Sequence, residues 1–260
     1  MAYKKSASNL KAPYLRKVLI QPEKVKDWSE YPFSLPFLAN ANWELDFTTA
    51  VTIIAGENGS GKSTLLEAIA ALAGYDEAGG GKGYMPVNHE HALDKSGKEL
   101  SNALRPHWLP RVTNGWFFRA ESFFSVARYL DDAARGDPFG PLPPDFLSWS
   151  HGEGFLRFFE ERCSRQGIYF LDEPESALSP NRQLELLRIL RRMQQSGHAQ
   201  VIMATHSPVL MALPDARLLN ITRFGLDEID FVDTDHFKLL KEFSNAPNVF
   251  IQNALNEDAE

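Results

Sequence analysis

The sequence predicts an α/β fold: a mainly parallel sheet flanked by helices, with an N-terminal antiparallel β portion and a small helical subdomain. Three observations carry this. Val51-Thr-Ile-Ile-Ala55, Ile168-Tyr-Phe-Leu171 and Val201-Ile-Met-Ala204 are short β-branched or aromatic runs, the pattern of buried strands. Helical patterns separate them, from Ser63 to Ala73 and from Pro180 to about Gln195. Strands alternating with helices in this way imply a parallel sheet. Each run also stops at a loop rich in glycine, carboxylate or hydroxyl groups, and such loops gather ligand-binding groups at one sheet edge.

The other elements follow in order. Residues 15–20 and 43–48 read as strands of the N-terminal sheet. The stretch from Gly74 to about Arg111 is rich in Gly, Pro, His and polar residues, and an irregular insertion over about 76–112 is expected there. Gly115-Trp-Phe-Phe118 reads as a strand and Ser122–Ala134 as a helix. The proline-rich run 137–144 must be a loop, because Pro blocks both helix and sheet pairing. Ser150–Arg165 reads as a helix, giving a helical subdomain over about 120–166. The tail from Leu218 predicts two strands and one or two helices. The 260 residues suit one domain, taken as 1–260.

Composition narrows the function classes. A formal charge of −7 argues against coating nucleic acid through bulk charge. Residues 1–26 hold seven lysines and arginines against one acid, Glu23; a solvated arm and a polyanion-contacting arm both fit this. Cys163 is the only cysteine, so internal disulfides and cysteine metal clusters are excluded, consistent with a reducing compartment. No apolar run is long enough to span a bilayer, and the N-terminus lacks the apolar stretch of a signal peptide, so a cytoplasmic location is expected.

The chemistry begins at Gly56-Glu-Asn-Gly-Ser-Gly-Lys-Ser-Thr64, which fits G-x-x-x-x-G-K-[ST] between a strand and a helix. Glycines let Glu57, Asn58, Gly59, Ser60 and Gly61 turn successive N–H groups toward one phosphate. The helix after it adds its positive N-terminal end, beside Thr64. Lys62 supplies a point charge for the β- and γ-phosphates of a nucleotide, and Ser63 a hydroxyl for Mg²⁺. The strand Ile168–Leu171 ends in Asp172 and Glu173. Asp172 is placed to support the metal, and Glu173 to polarise an attacking water.

These two segments resemble the Walker A and Walker B motifs of ABC-type ATPases, and three further pieces follow in that family's order. Ser150-His-Gly-Glu-Gly154 is similar to the signature motif, with Ser150 and Gly152 matching its serine and second glycine and Glu153 standing for its glutamine. Ser150-x-x-Glu153 is also a helix capping box, and the two readings are compatible. Ser176-Ala-Leu-Ser179 resembles the D-loop, with Ser179 where Asp is usual; Ser179-Pro180 also reads as a helix start. Ala204-Thr-His-Ser-Pro208 resembles the switch-histidine segment and implies a γ-phosphate role for His206. Asp172 lies 22 residues after Ser150, and His206 34 residues after Asp172, intervals that fit the family.

The resemblance fails at the Q-loop. Phe117-Phe-Arg-Ala-Glu-Ser122 occupies its place without a glutamine, and Arg119 and Glu121 are the substitutes, with Glu121 preferred as a metal contact. Tyr31, Phe33, Phe37 and Trp43 compete as the aromatic that stacks on adenine, most of them expected in the core. His89-Glu-His91 offers too few ligands for a metal site.

Asp-Glu-Pro-Glu-Ser-Ala-Leu-Ser-Pro is more similar to the stand-alone ATPases on the RecF, SMC and OLD side of the family, in repair and phage defence, than to transporter subunits. With 87 residues between Lys62 and Ser150 and 54 after His206, neither a long coiled-coil arm nor a fused nuclease is expected. The resemblance implies Mg²⁺-dependent ATP hydrolysis in a head-to-tail homodimer. In it, Ser150 and Gly152 of one copy complete the nucleotide site of the other, driving a switch in a protein partner or nucleic acid. The alternatives are a nucleotide-binding subunit of a membrane transporter and a slow ATP-dependent sensor.

Overall fold

The computed structural model describes residues 10–38, 41–82, 96–120 and 151–257. Two sheets organise them. Strands β1 (Leu15–Ile20), β2 (Glu44–Asp46) and β4 (Leu104–Trp108) form an antiparallel sheet in the order β2-β1-β4. Strands β3 (Val51–Gly56), β5 (Gly115–Arg119), β6 (Gly167–Asp172), β7 (Ala199–Ala204), β8 (Arg217–Thr222) and β9 (Gly225–Glu228) form the second, in the order β5-β6-β7-β3-β8-β9. Five of these run parallel and β9 returns antiparallel on β8. The helices are α1 (Lys62–Ala73), α2 (Ser96–Ala103), α3 (His151–Arg162), α4 (Pro180–Ser196), the short α5 (Pro208–Met211), α6 (Asp235–Asn245) and α7 (Pro247–Glu257).

The central strands are apolar on both sides because both faces are covered. On one face Ile54, Ile168, Phe170 and Ile202 pack with Leu65, Leu66 and Ile69 of α1 and with Leu15, Val18 and Phe47 from the N-terminal sheet region. On the other, Ile53, Tyr169, Leu171 and Met203 meet Phe155, Phe158 and Phe159 of α3 and Leu186, Leu190 and Met193 of α4. Each such side chain contributes about 1.5–3 kcal/mol on leaving water. The two sheets are joined by Gln200, which has no exposed surface. Its Oε1 accepts from the Tyr14 and Leu15 N–H groups, both at 2.8 Å, and its Nε2 donates to the Leu15 carbonyl at 3.0 Å. A buried amide with its partners met costs little and fixes the register of the sheets.

The predicted parallel sheet, the N-terminal antiparallel portion and the two C-terminal strands are present, as are the helices on either side. The expectation of irregular chain over 76–112 is corrected at its far end. Residues 96–108 form α2 and β4, with β4 antiparallel to β1. Leu100, Ala103 and Leu104 of this stretch enter the core and Trp108 packs against it, so its polar composition hid a one-sided helix and an edge strand. Pro106 fits such an edge, where a missing N–H leaves no ladder bond unmade. The predicted helix at Ser122–Ala134, the loop 137–144 and His89-Glu-His91 lie outside the described residues.

Candidate functional site

The strand order brings the candidate residues together. The phosphate loop leaves β3 and the carboxylates leave β6, with β7 between them. Thr205 and His206 follow β7, so they emerge between the loop and the carboxylates. Backbone bonds tie these exits: Thr205 N–H donates to the Ile54 carbonyl at 3.1 Å and Glu173 N–H to the Ala204 carbonyl at 3.0 Å. Arg119 ends β5 on the far side of β6, in register with Asp172. All of these lie at the C-terminal edge of the parallel strands, where open α/β sheets bind ligands.

The loop has a cradle's shape. Gly61, at φ +94°, precedes α1, and this left-handed conformation favours glycine. Lys62 is only 3% exposed and its Nζ donates to the Glu57 carbonyl at 2.8 Å. Burial pushes its ammonium below the ordinary range, against the pull of Glu173, Asp172 and Glu175. Ser63 Oγ donates to Asp172 Oδ1 at 2.9 Å, so hydroxyl and carboxylate already face each other as a metal pair requires. The Ser60 hydroxyl and His206 Nε2 are buried with no hydrogen-bond partner among the described residues. Orphaned buried polar atoms around a glycine cradle fit a phosphate ligand.

Glu173 is held in the left-handed region at φ 44°, ψ 54°. Its carbonyl accepts from Ser176 N–H at 3.1 Å and Ser176 Oγ at 2.7 Å. A non-glycine residue there costs about 1–2 kcal/mol and marks a site whose surroundings impose it. Its Oε1 lies 3.4 Å from His206 Nε2. The His206 backbone N–H donates to Glu175 Oε1 at 2.5 Å, and burial raises the Glu175 carboxyl above its ordinary range.

Burial, and next the Lys62 charge, hold the His206 imidazole below its ordinary 6.5. Below pH 6.5 the unfolded chain therefore takes up this proton before the folded one. The contribution of neutral His206 is complete above pH 6.5 and is lost as the pH falls from there toward the depressed folded value. Between about pH 7 and 5.5 the wild-type melting temperature should fall more steeply than that of His206→Asn. Parallel curves from thermal melts would refute this assignment.

Other sequence candidates are placed as follows. Phe33, Phe37 and Trp43 are core residues, whereas Tyr31 is 48% exposed and its hydroxyl pairs with Thr64 Oγ1 on α1. Gly152 lies in the first turn of α3, where a Cβ would come within 3.2 Å of the Ala177 carbonyl. Glu153 pairs with Arg182 of α4 at 3.7 Å, joining the signature-like turn to the helix after the D-loop-like turn. Ser179 stands at the N-cap of α4 with Pro180 following, but its side chain makes no capping hydrogen bond. Ser150 and Glu121 lie outside the described residues. Arg119, the second choice for the missing glutamine, lies beside Asp172, with its Nε 3.5 Å from Oδ2.

One neighbour escaped sequence reasoning. The His236 ring on α6 lies 5.8 Å from the His206 ring, centroid to centroid. A pocket of about 860 Å³ opens between the phosphate loop, the Thr222–Phe224 turn and α6, lined by His236 and Leu239. No motif surrounds His236, and only the packing of α6 brings it here.

Residues 145–212 match a family described as "AAA domain, putative AbiEii toxin, Type IV TA system", and residues 34–102 match one described as "AAA domain". The chain is 31% identical over 195 residues to ABC transporter G family member 6 of Arabidopsis thaliana, covering 66% of this chain and 26% of that protein. It thus spans about a quarter of that relative's length. Among solved structures, a putative metal-chelate type ABC transporter in an inward-facing conformation superposes with a TM-score of 0.52 at 16% identity, covering 88% of each chain. The SMC head domain from Thermotoga maritima gives a TM-score of 0.46 at 18% identity, covering 84% of this chain and 100% of that one. No helix among the described residues is long and apolar enough to cross a membrane. The chain thus has the fold of the ABC transporter ATPase it superposes on, and its segments 34–102 and 145–212 are similar to AAA domains.

Proposed function

We propose that this chain hydrolyses ATP, in a single ATPase domain over residues 1–260 whose helical part spans about 120–166. The observation that carries the reading is the convergence of Lys62, Ser63, Asp172, Glu173 and His206 at one sheet edge, with the Ser63–Asp172 hydrogen bond formed and the buried Ser60 hydroxyl left without one among the described residues. Backbone N–H groups from Glu57 to Thr64 hold the phosphates, and Lys62 bridges the β and γ groups. Mg²⁺, held by Ser63 and Asp172, neutralises charge on the phosphate oxygens when bound. Glu173 orients the attacking water and takes its proton, and His206 donates to the γ-phosphate. Tyr31 supports the base, being exposed and tied to the helix that follows the phosphate loop. Tyr31→Ala should weaken nucleotide binding about tenfold, by the worth of one aromatic–base stack, while Tyr31→Phe keeps most of the affinity. Titration with a fluorescent ATP analogue measures this; equal affinities for wild type and Tyr31→Ala would exclude Tyr31.

The site closes in a head-to-tail pair, with Ser150 and Gly152 of each copy facing the other's phosphates. ATP then acts as a ligand with higher affinity for the closed pair, and hydrolysis reopens it. The motion drives a partner protein or a nucleic acid in the cytoplasm, in a repair or phage-defence role; the toxin–antitoxin wording of the family matched over 145–212 supports the defence branch. Phosphate release from the purified chain, with and without DNA, tests this. DNA-stimulated turnover supports action on nucleic acid, very slow unstimulated turnover supports a sensor, and no turnover under any condition rules out the enzyme. The 31% match to a transporter supports the alternative of a nucleotide-binding subunit, for which a co-purifying membrane chain is the expected sign.

A further inference from the structure

Where the Q-loop glutamine is expected, the protein has buried a cation instead. Arg119 ends β5 as the cross-strand neighbour of Asp172 on β6. Its side chain is about one-tenth exposed. The guanidinium reaches Glu67 Oε1 through Nη1 at 2.7 Å and Asp172 Oδ2 through Nε at 3.5 Å, and Nη1 also donates to the Glu77 carbonyl at 2.8 Å. Glu67 lies one helical turn after Ser63 on α1, so both side chains reach the same edge. Ser63, Asp172, Arg119 and Glu67 therefore form a chain of contacts that leaves α1 and returns to it. Asp172 has Ser63 on one carboxylate oxygen and Arg119 on the other.

Without Arg119, Asp172 and Glu67 would be two buried carboxylates facing one space. Two carboxylates in a space shielded from water attract either a proton or a divalent cation. The guanidinium fills that space with a fixed positive charge. Glu67 is close to the limit of what this charge can hold ionised, since burial pushes its carboxyl up to about 7 despite the contact with Arg119.

We propose that Arg119 is a positioning residue that stands in for a cation between Asp172 and Glu67, so that the metal site forms only when a nucleotide brings its own phosphate oxygens. The inference rests on the ATP reading above. Arg119 takes one oxygen of Asp172 and leaves the other, on Ser63, directed at the phosphate loop. The full set of metal ligands then exists only with a nucleotide bound. Such a site avoids a tightly bound metal in the empty protein and couples metal entry to nucleotide entry.

The test uses Mn²⁺ as the probe and the electron paramagnetic resonance signal of free Mn²⁺ as the readout, on the full chain without nucleotide. Arg119→Gln should bind Mn²⁺ at least about tenfold more tightly than wild type, and Arg119→Lys, which keeps the charge, should stay close to wild type. Adding Glu67→Gln to Arg119→Gln should return the affinity toward wild type, because one pole of the new site is gone. A purely structural role would not produce that reversal. Unchanged Mn²⁺ affinity in a folded Arg119→Gln protein overturns the proposal, and so does a double variant that binds as tightly as the single one. If Arg119→Gln fails to fold, Arg119→Met, which fills the same space without charge, decides by the same nucleotide-free measurement: Mn²⁺ binding at least about tenfold tighter than wild type supports the proposal, and unchanged binding overturns it. A wild-type chain that binds no Mg²⁺–ATP at all sinks the ATP reading itself, and this inference with it.

Discussion

Replacing Glu173 with Gln is expected to lower ATP turnover by about 10²–10⁴-fold, the usual worth of a positioned general base, while leaving nucleotide binding intact. The substitution keeps shape and hydrogen-bonding reach but removes the ability to accept a proton. Glu173 sits in a left-handed backbone conformation fixed by its N–H on the Ala204 carbonyl and its carbonyl on Ser176, and none of these bonds involves the side chain. The fold should therefore survive, and thermal melts should overlay those of wild type. The carboxylate is partly exposed and 3.4 Å from His206 Nε2, so it faces the space where the γ-phosphate and water are proposed to lie. With hydrolysis blocked, the closed pair should accumulate. Light scattering of Glu173→Gln with ATP and Mg²⁺ should report twice the monomer mass. Wild-type turnover in the variant would remove Glu173 as the base, whereas a monomer with turnover abolished would remove the sandwich and keep the base.

Lys62→Ala should weaken ATP binding by about 10–150-fold, the affinity equivalent of a charge-assisted hydrogen bond worth about 1.5–3 kcal/mol. Lys62 is the phosphate-loop cation facing Glu173, Asp172 and Glu175, whose charges pull its pKa up against burial. Without it, a triphosphate approaches carboxylates with no compensating charge at the loop. Binding loss should thus be larger for ATP than for AMP, whose single phosphate lies farther from the ammonium. Calorimetric titration with ATP and AMP measures both, with a melt to confirm folding. An ATP affinity within threefold of wild type would place the triphosphate elsewhere.

Much of the fold is legible in residues 51–73 and 167–204, where apolar runs and glycine or proline punctuation agree with one another. The phosphate loop is local: Gly56 to Thr64 is contiguous, so its backbone geometry follows from its own sequence and needs only the flanking strand and helix. Helix α2 and strand β4 were missed because few of their residues face inward, and a polar stretch with Leu100, Ala103 and Leu104 as its buried points carries little periodic signal. The glutamine's absence is plain in the sequence, but not what replaces it. Arg119 acquires its meaning from Asp172, 53 positions away in the chain and opposite it in the sheet.

The sequence by itself determined the phosphate-loop motif and the residue types of the proposed site, because they lie within nine consecutive residues and one strand end. The tertiary structure decided the arrangement. Inserting β7 between β3 and β6 carries His206 to the gap between loop and carboxylates, the parallel register sets Arg119 against Asp172, and the packing of α6 brings His236 to His206. Strand order and register are fixed by the burial of both sheet faces together, a property of the assembled core that no single segment encodes.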